Sequence, residues 1–329
     1  MRSSNPLVSV IVPTYDGEAF VRETIDSVLA QDYAPLEVIV CDDGSRDGTL
    51  AILESYGSKI KLVRQKNQGV AAARNRAAED AGGEWITFLD HDDVWEKNLL
   101  TELVPLVTKD ASTAVAYADA WVIDASGEKR GRRGTFLHYA EGDVFEPLLH
   151  GNFMPVETTL MKTSLFRAIG GCDVSLRYLE DYELCLRLAK QTHIAFHREP
   201  LARYRIHERN LSHELEPMLV EWLRLLETLE DRVGKLSTSQ KDVVEHERDR
   251  LCADLSWRAA RRGDLAGSIA WARRAGRFAP HKKLFQARVL RAALRVLPAS
   301  LGSELLRRLP RRKLYGVQIP KKKDARPRR

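Results

Sequence analysis

Several carboxylates stand directly behind a short apolar segment in the first third of the chain. Residues 85–95 read WITFLDHDDVW, so Asp90, His91, Asp92 and Asp93 follow a segment typical of a buried strand. Burying carboxylates is costly unless a cation or strong donors compensate. Oxygen ligands at Asp-x-Asp spacing suit Mg²⁺ or Mn²⁺, which often share their coordination shell with phosphate oxygens. The alternative is that Asp92 or Asp93 only caps a following helix.

Polar loops also follow the other segments that we predict to be strands. These segments are β-branched and apolar with little alternation, as expected for strands buried on both faces. They alternate with helical patterns over short connections, which indicates a parallel sheet with helices on its faces. Ligands bind outside the carboxyl ends of such strands, so the polar loops should converge on one rim. The predicted strands are residues 7–12, 36–41, 60–64 and 85–89, and the loops are 13–18, 42–45 and 90–93.

The middle of the chain predicts further strands and helices, with one helix opening at Leu179. Glu180 and Asp181 then stand in its first turn, where carboxylates can simply favour the helix dipole. The segment 203–212 is interpreted as irregular and rich in anion-binding residue types. The remaining predictions are a helix at 99–107, strands at 114–117 and 120–124, a mobile basic turn at 127–134, an extended segment at 151–161, a helix at 164–169 and a last strand at 193–196.

Composition is that of an ordinary globular chain, with 44% hydrophobic and 30% charged residues. No apolar run approaches the roughly 20 residues that span a bilayer. Residues 1–5 lead straight into a strand pattern, so we expect no signal peptide and a cytoplasmic protein. Four cysteines without CxxC or Cys/His spacing predict reduced, buried thiols and argue against a structural zinc site.

The charge of the chain is divided unevenly. Residues 282–329 carry sixteen Lys and Arg against two acidic residues, whereas residues 1–281 have a net charge of −8. The segment 282–297 has the pattern of a basic amphipathic helix, and a basic cluster follows at 307–313. We expect this tail to contact an anionic membrane surface; the alternative is a solvated tail. No specific nucleic-acid partner is expected, because no RNA-binding strand pattern is visible.

Five segments, in this order, resemble the motifs of family-2 glycosyltransferases of the GT-A fold. The resemblance covers residues 7 to about 215 and implies a Rossmann-like α/β fold, with a mostly parallel sheet flanked by helices. The pattern after residue 216 is helical, so we predict a catalytic domain at 1–215, a helical appendage at 216–281 and a basic tail at 282–329. The five segments are VSVIVPTYDGEAF at 8–20, VIVCDDGSRDGT at 38–49, NQGVAAARNRA at 67–77, ITFLDHDD at 86–93 and the GG-x-D … LEDYELCLRLA stretch at 170–189.

The resemblance implies an enzyme that transfers a sugar, with inversion, from a nucleotide-diphosphate sugar to a hydroxyl of a glycan or lipid-linked acceptor. Asp181 matches the family's general base, and Asp92 matches its ligand for Mn²⁺ or Mg²⁺. Asp90 would lie near the ribose or the metal, and His207 would supply a further metal ligand. The enzyme would then work in the cytoplasm, peripherally on the inner face of the membrane.

The resemblance also places residues around the donor and the acceptor. Tyr15 would pack on the base, Asp43 would accept from a base N–H, and Arg74 would brace the nucleotide or the acidic motif. Cys172 departs from the family pattern, which usually has an aromatic residue there. The implied nucleotide-sugar contacts are Pro13, Thr14, Tyr15, Glu18, Asp43, Gly69, Arg74, Asp90 and His91. The implied acceptor and diphosphate loop comprises Gly170, Gly171, Glu180 and Arg205.

Two other functions share part of these features. A nucleotidyltransferase also combines parallel strands, phosphates and metal, but it would be expected to have a glycine-rich basic loop after the first strand, where this chain has PTYDGEAF. Neither G-x-G-x-x-G after that strand nor a P-loop motif occurs. The other alternative is nonspecific, salt-dependent binding to anionic surfaces through the basic tail.

Overall fold

One mixed sheet organises the fold in a computed structural model that describes residues 5–135 and 137–275. The strands of the described residues are β1 (Val8–Thr14), β2 (Leu36–Asp42), β3 (Lys61–Arg64), β4 (Trp85–Phe88), β5 (Val94–Trp95), β6 (Thr113–Asp124), β7 (Lys129–Arg132), β8 (Leu160–Lys162) and β9 (His193–Ile206). Their order is β3-β2-β1-β4-β8-β6-β9-β5, with β7 paired to β6. The first four strands are parallel, β8 is antiparallel to both its neighbours, and β6 and β9 are again parallel.

Helices cover both faces of this sheet. Val8, Val10 and Val12 of β1 belong to one buried cluster, whereas Ile11 points into a second, so the strand is apolar on both faces. The α-helices are α1 (Val21–Leu29), α2 (Thr49–Glu54), α3 (Val70–Glu79), α4 (Leu99–Thr108), α5 (Phe145–Leu148), α6 (Thr163–Ala168), α7 (Glu180–Ala189), α8 (Leu215–Glu227), α9 (Leu229–Val233), α10 (Thr238–Arg261) and α11 (Leu265–Arg274). Helices α1 and α4 pack in the first cluster and α3 and α7 in the second. The predicted α/β fold class is confirmed.

One sequence prediction about the strand ends is wrong, and so is one alternative. Strand β1 runs through Pro13 to Thr14, because its pairing with β4 ends at Ile11 and the missing N–H of Pro13 is not required there. Asp92 and Asp93 cap no helix. Strand β5 follows them, and α4 begins only at Leu99 after Asn98.

Longer strands replace several short or irregular predicted segments. The two strands expected at 114–117 and 120–124 are one strand, β6, and the strand expected at 193–196 continues as β9 to Ile206. The expected basic turn at 127–134 contains β7, which pairs with β6. The segment 151–161 is only partly extended. The 3₁₀ turns lie at Gly57–Lys59, Arg133–Thr135, Val156–Thr158 and Leu211–His213.

The last four described helices pack on the same core as α3 and α7. Leu219, Leu223 and Leu226 of α8 are buried in that cluster, together with Leu251 and Leu255 of α10. No helix among the residues described here is long and apolar enough to cross a bilayer. The predicted basic helix at 282–297 and the cluster at 307–313 lie outside the described residues.

Replacing Leu223 with alanine should lower the free energy of unfolding by about 2–5 kcal/mol, because truncating a buried leucine leaves a cavity. Leu223 is 1% exposed, whereas Leu265 of α11 is 50% exposed, so Leu265→Ala is the matched control with an effect of about 0.5 kcal/mol. Urea denaturation followed by tryptophan fluorescence measures both. Equal midpoints for the two variants would contradict the packing of α8 into the core.

Candidate active site

The polar loops after β1, β2 and β4 lie together, as predicted. The Asp16 N–H donates to Ser45 Oγ at 3.0 Å, and the Gly17 N–H donates to Thr49 Oγ1 at 2.8 Å. A Cβ on Gly17 would lie 2.6 Å from His91 Cδ2, so the first loop also packs tightly on the acidic segment. These contacts bring the three loops to one rim of the sheet.

Residues at the end of β1 form one wall of this rim. Pro13 and Thr14 are buried, and Thr14 Oγ1 makes no hydrogen bond among the described residues. Tyr15 follows them and is half-buried. Glu18 Oε2 accepts from the Gly48 N–H at 2.6 Å, so in this structure Glu18 links the first two loops. Their contacts with a nucleotide stay predictions.

Asp43 fixes the loop that leads into α3. Its carboxylate accepts from Gln65 Nε2 at 2.7 Å, from the Gln68 N–H at 2.9 Å and from the Gly69 N–H at 2.8 Å. Gly69 has a φ of +91°, a conformation that side chains other than glycine rarely adopt. A base N–H that bound Asp43, as predicted, would have to share the carboxylate with these donors or displace Gln65.

Arg74 of α3 connects the acidic segment to α7. One guanidinium nitrogen lies 2.7 Å from Asp90 Oδ1 and the other lies 2.9 Å from Glu180 Oε1. The Arg74 side chain is 1% exposed, while that of Asp90 is 33% exposed. Burial alone would lower the pKa of Arg74, but the charges of Asp90 and Glu180 outweigh it and raise this pKa. The arginine is therefore a permanent cation between two carboxylates.

The two carboxylates at the start of α7 have perturbed acidities. Burial raises the pKa of Glu180 to about 7, although the Arg74 charge opposes this. Burial also raises the pKa of Asp181, again against Arg74. Asp181 Oδ1 accepts from the Tyr182 N–H at 2.6 Å and Oδ2 accepts from Asn152 Nδ2 at 3.2 Å. The N-cap residue of α7, Leu179, provides no side-chain cap, so the bond from the Tyr182 N–H to Asp181 is a contact between neighbouring residues inside the first turn.

Asp92 meets His207 at the outer end of the acidic segment. Asp92 Oδ2 and His207 Nε2 are 2.9 Å apart, and the imidazole stacks on Phe20 with ring centroids 5.1 Å apart. Burial would raise the pKa of Asp92, but the hydrogen bond to His207 and nearby histidine charge lower it. No group of three or more His, Cys, Asp or Glu with metal-binding geometry occurs in the described part of the chain. One carboxylate and one imidazole nevertheless suit Mn²⁺ when phosphate oxygens and water complete the shell.

Arg205 does not lie in an irregular diphosphate loop. It is buried within β9, and its guanidinium donates to Glu23 Oε2 at 2.7 Å and to the Asp92 carbonyl at 2.8 Å. Its backbone N–H donates to Asp93 Oδ1 at 2.8 Å. Strand β9 extends farther than its sequence pattern indicates, and this places Arg205 next to the acidic segment. There the side chain and the backbone of Arg205 hold Asp92 and Asp93 in position.

Gly170 and Gly171 form the turn between α6 and the segment that precedes α7. Both have positive φ, and a Cβ on Gly171 would lie 2.6 Å from Asn75 Oδ1. Asn75 binds the Cys172 N–H and carbonyl, each at 2.8 Å. The structure therefore gives this turn a packing role against α3, and its predicted contact with acceptor or diphosphate stays a prediction.

Sequence reasoning missed several residues around this site. Asn152 contacts Asp181, and Glu23 pairs with Arg205. Arg133 pairs at 2.8 Å with the buried Glu157. The partner of each lies at least 24 residues away in the chain, and no local motif marks the pair. The one sequence signal that could have pointed to such a pair is an ionisable residue inside an apolar stretch, as Glu157 is.

The mixed sheet with its flanking helices and the loops at one rim is a GT-A fold. Among solved structures, the chain is similar to Staphylococcus aureus TarS 1-349, with a TM-score of 0.56 and 19% identity over 89% of this chain and 82% of that one. It is also similar to the mannosyltransferase PcManGT from Pyrobaculum calidifontis in complex with GDP-Man and Mn²⁺, with a TM-score of 0.55 and 18% identity over 89% and 87%. These structures support the fold.

The chain belongs to glycosyltransferase family 2. The model of the family described as glycosyl transferase family 2 matches residues 9–170. A putative teichuronic acid biosynthesis glycosyltransferase, TuaG of Bacillus subtilis, is 30% identical over 64% of this chain and 84% of its own length. An uncharacterised glycosyltransferase of Rickettsia typhi is 34% identical over 62% of this chain and 65% of its own length, so the match spans less than two thirds of that relative.

A shorter match has higher identity. The UDP-Glc:alpha-D-GlcNAc-diphosphoundecaprenol beta-1,3-glucosyltransferase WfgD of Escherichia coli is 44% identical over 105 residues, which is 31% of this chain and 42% of that protein.

Replacing Arg74 with methionine should lower the free energy of unfolding by about 3–5 kcal/mol, because two carboxylates lose their buried partner. Arg76 on the same helix is 40% exposed and, within the part of the chain that the structure describes, pairs with Glu79 and Asp80. Arg76→Met is the matched control, with an effect within about 0.5 kcal/mol. Chemical denaturation at pH 7 measures both. A similar stability of the two variants would show that Arg74 does not join the acidic segment to α7.

Proposed function

We propose that this protein transfers a sugar from a nucleotide-diphosphate sugar to a hydroxyl of a glycan or lipid-linked acceptor, with inversion and with a divalent metal. The observation that carries the proposal is the buried Arg74, which pairs with Glu180, the neighbour of Asp181 in the chain, and with Asp90, two residues before Asp92. This pair of contacts supports the proposal because it links the segment that carries the proposed base to the segment that carries the proposed metal ligand.

Asp181 is the proposed general base. Deprotonated, it takes the proton of the acceptor hydroxyl while the acceptor oxygen forms a bond to the anomeric carbon of the donor. The bond from that carbon to the phosphate oxygen breaks, and the nucleoside diphosphate leaves with the bonding electrons. Attack and departure occur on opposite faces in this single displacement, so the configuration inverts. The raised pKa of Asp181 makes the carboxylate more basic than an exposed aspartate.

Asp92 and His207 are the proposed metal ligands, with Asp90 beside them. A bound Mn²⁺ or Mg²⁺ would act as a Lewis acid toward the charge that develops on the leaving diphosphate. Arg205 and Asp93 hold the backbone of the acidic segment, so the Asp92 carboxylate is already oriented toward His207. Thr14, with a buried hydroxyl that makes no hydrogen bond among the described residues, adds a polar group to the nucleotide side.

The substrates and bound ligands of similar proteins support this substrate class. WfgD is described as acting from UDP-Glc on a diphosphoundecaprenol-linked sugar, and TarS has been solved with UDP and with UDP-GlcNAc. PcManGT was solved with GDP-Man and Mn²⁺. We therefore place this protein in polysaccharide biosynthesis, in the cytoplasm and peripherally on the inner face of the membrane. We keep the proposed division into a catalytic domain at 1–215, a helical appendage at 216–281 and a basic tail at 282–329.

Binding of the donor nucleotide should depend on metal and on Asp92. A nucleotide at 100 times its dissociation constant should stabilise the native chain by about 2.7 kcal/mol. Thermal unfolding with UDP, GDP and dTDP and their sugars, with and without Mn²⁺, measures this. Asp92→Asn should abolish the metal-dependent shift, whereas Glu54→Gln at an exposed position should leave it unchanged. A nucleotide shift that is equal with and without Mn²⁺ would contradict the proposed metal site.

Asp181→Asn should reduce kcat by about 10² to 10⁴, the usual contribution of a general base. In the native enzyme kcat/KM should fall as the pH is lowered. Because the pKa of Asp181 is raised, that fall should be centred above the ordinary range of an aspartate. Initial rates of sugar transfer from pH 4 to 9 measure the profile. An Asp181→Asn enzyme with native rates and the native pH profile would exclude Asp181 as the base.

A further inference from the structure

Helix α8 provides a carboxylate to the segment that leads into α7. Glu221 Oε1 accepts from the Arg177 N–H at 2.9 Å, and Oε2 accepts from the N–H groups of Tyr178 at 2.7 Å and Leu179 at 2.9 Å. Leu179 is the residue immediately before the first residue of α7, Glu180. One side chain from a distant helix thus binds three consecutive backbone donors at the entrance to the helix that carries Asp181.

Glu221 acts directly before α7, and of its three donors only the Leu179 N–H belongs to the N-cap residue. The first N–H groups of a helix lack partners within the helix, and α7 has no side-chain cap of its own. A carboxylate near a helix N-terminus is also favoured by the helix dipole. Glu221 therefore holds the start of α7 in one place, although it lies 42 residues after Leu179 in the chain.

Neighbouring contacts hold the same region from α8 and α9. The Tyr178 hydroxyl donates to Glu214 Oε2 at 2.6 Å, and Arg232 pairs with Asp173. Trp222, next to Glu221, packs edge-on against Tyr182 with ring centroids 5.7 Å apart. The residue after Asp181 and the residues before it are thus both held by the C-terminal helices.

We infer that Glu221 is a positioning residue for sugar transfer, whose carboxylate fixes the entrance of α7 and thereby the location of the Asp181 carboxylate. The inference rests on the proposed function, in which Asp181 removes the acceptor proton. A displacement of a reacting group by about 1 Å can cost about 10²-fold in rate, so a helix start held by three hydrogen bonds has a direct effect on kcat. Among the described residues, no hydrogen bond joins Glu221 to the nucleotide side of the rim, so nucleotide binding should not respond.

Hydrogen exchange tests the structural part without any substrate. In the full chain, Glu221→Ala should increase amide exchange in a peptide that covers residues 177–179. Glu216→Ala is the matched control, because Glu216 lies on the same helix and pairs with Arg262 instead. Unchanged exchange at 177–179 in Glu221→Ala, relative to Glu216→Ala, would overturn the inference.

Kinetics test the catalytic part. Glu221→Ala should lower kcat for transfer by about tenfold or more, with the affinity for the nucleotide plus Mn²⁺ within about twofold of native, since only the base is displaced. Glu221→Gln keeps one acceptor oxygen, so its kcat should lie between the kcat of Glu221→Ala and that of the native enzyme. It also serves as the test variant if Glu221→Ala does not fold. Glu216→Ala should retain the native kcat.

The outcomes separate this inference from the proposed function. A native chain that transfers no sugar, under conditions in which it binds nucleotide, would overturn the proposed function and the positioning role with it. A native chain that is active, with kcat in Glu221→Ala and Glu221→Gln equal to that of Glu216→Ala, would overturn the positioning role alone. A loss of nucleotide affinity equal to the loss of kcat would show a general structural effect and would overturn it as well.

Discussion

The candidate site depends on one buried cation. Arg74 is almost fully buried, so its charge is compensated by its two carboxylate partners, and removing either partner would be strongly destabilising. Asp90 comes from the end of β4 and Glu180 from the start of α7, 90 residues apart in the chain. A planar guanidinium reaches both at once, which a lysine ammonium on a single flexible stem does less well. The same interaction thus stabilises the fold and fixes the distance between the two halves of the site.

The three aspartates of the acidic segment differ in their burial and in the residues that they contact. Asp93 is buried, accepts from the Arg205 N–H, and has a pKa raised by burial and by the charge of Asp92. Arg205 binds the Asp92 carbonyl from the same side. With the backbone held from beneath, the side chains of Asp90 and Asp92 point to Arg74 and His207. Three neighbouring aspartates therefore have three different environments, which their shared sequence motif does not reveal.

Local pattern was sufficient to predict most of the architecture of the first half. Strand and helix alternate there with short connections, and parallel strands bring their polar loops to one edge whatever the side-chain details. Prediction failed where the determining contact is distant in sequence. Arg205 looked like a loop residue because its strand partner in β6 is about 80 residues away, and the capping interpretation of Asp92 and Asp93 failed because a two-residue strand is too short to have a pattern.

In the proposed reaction the C-terminal helices affect the position of the base, although the match to the family model ends before them. It matches residues 9–170, which include the three loops and the acidic segment, but Asp181 and its surroundings follow later. Asn152 contacts Asp181 from one side, and its neighbour Gly151 lies close to the Trp222 indole. From the other side Glu221 binds the entrance of α7. In the proposed reaction the donor side is thus built by the N-terminal loops, whereas the position of the base is set by helix α8 and the segments that it holds. Changes in that helix would alter transfer to the acceptor while nucleotide binding stays as it is.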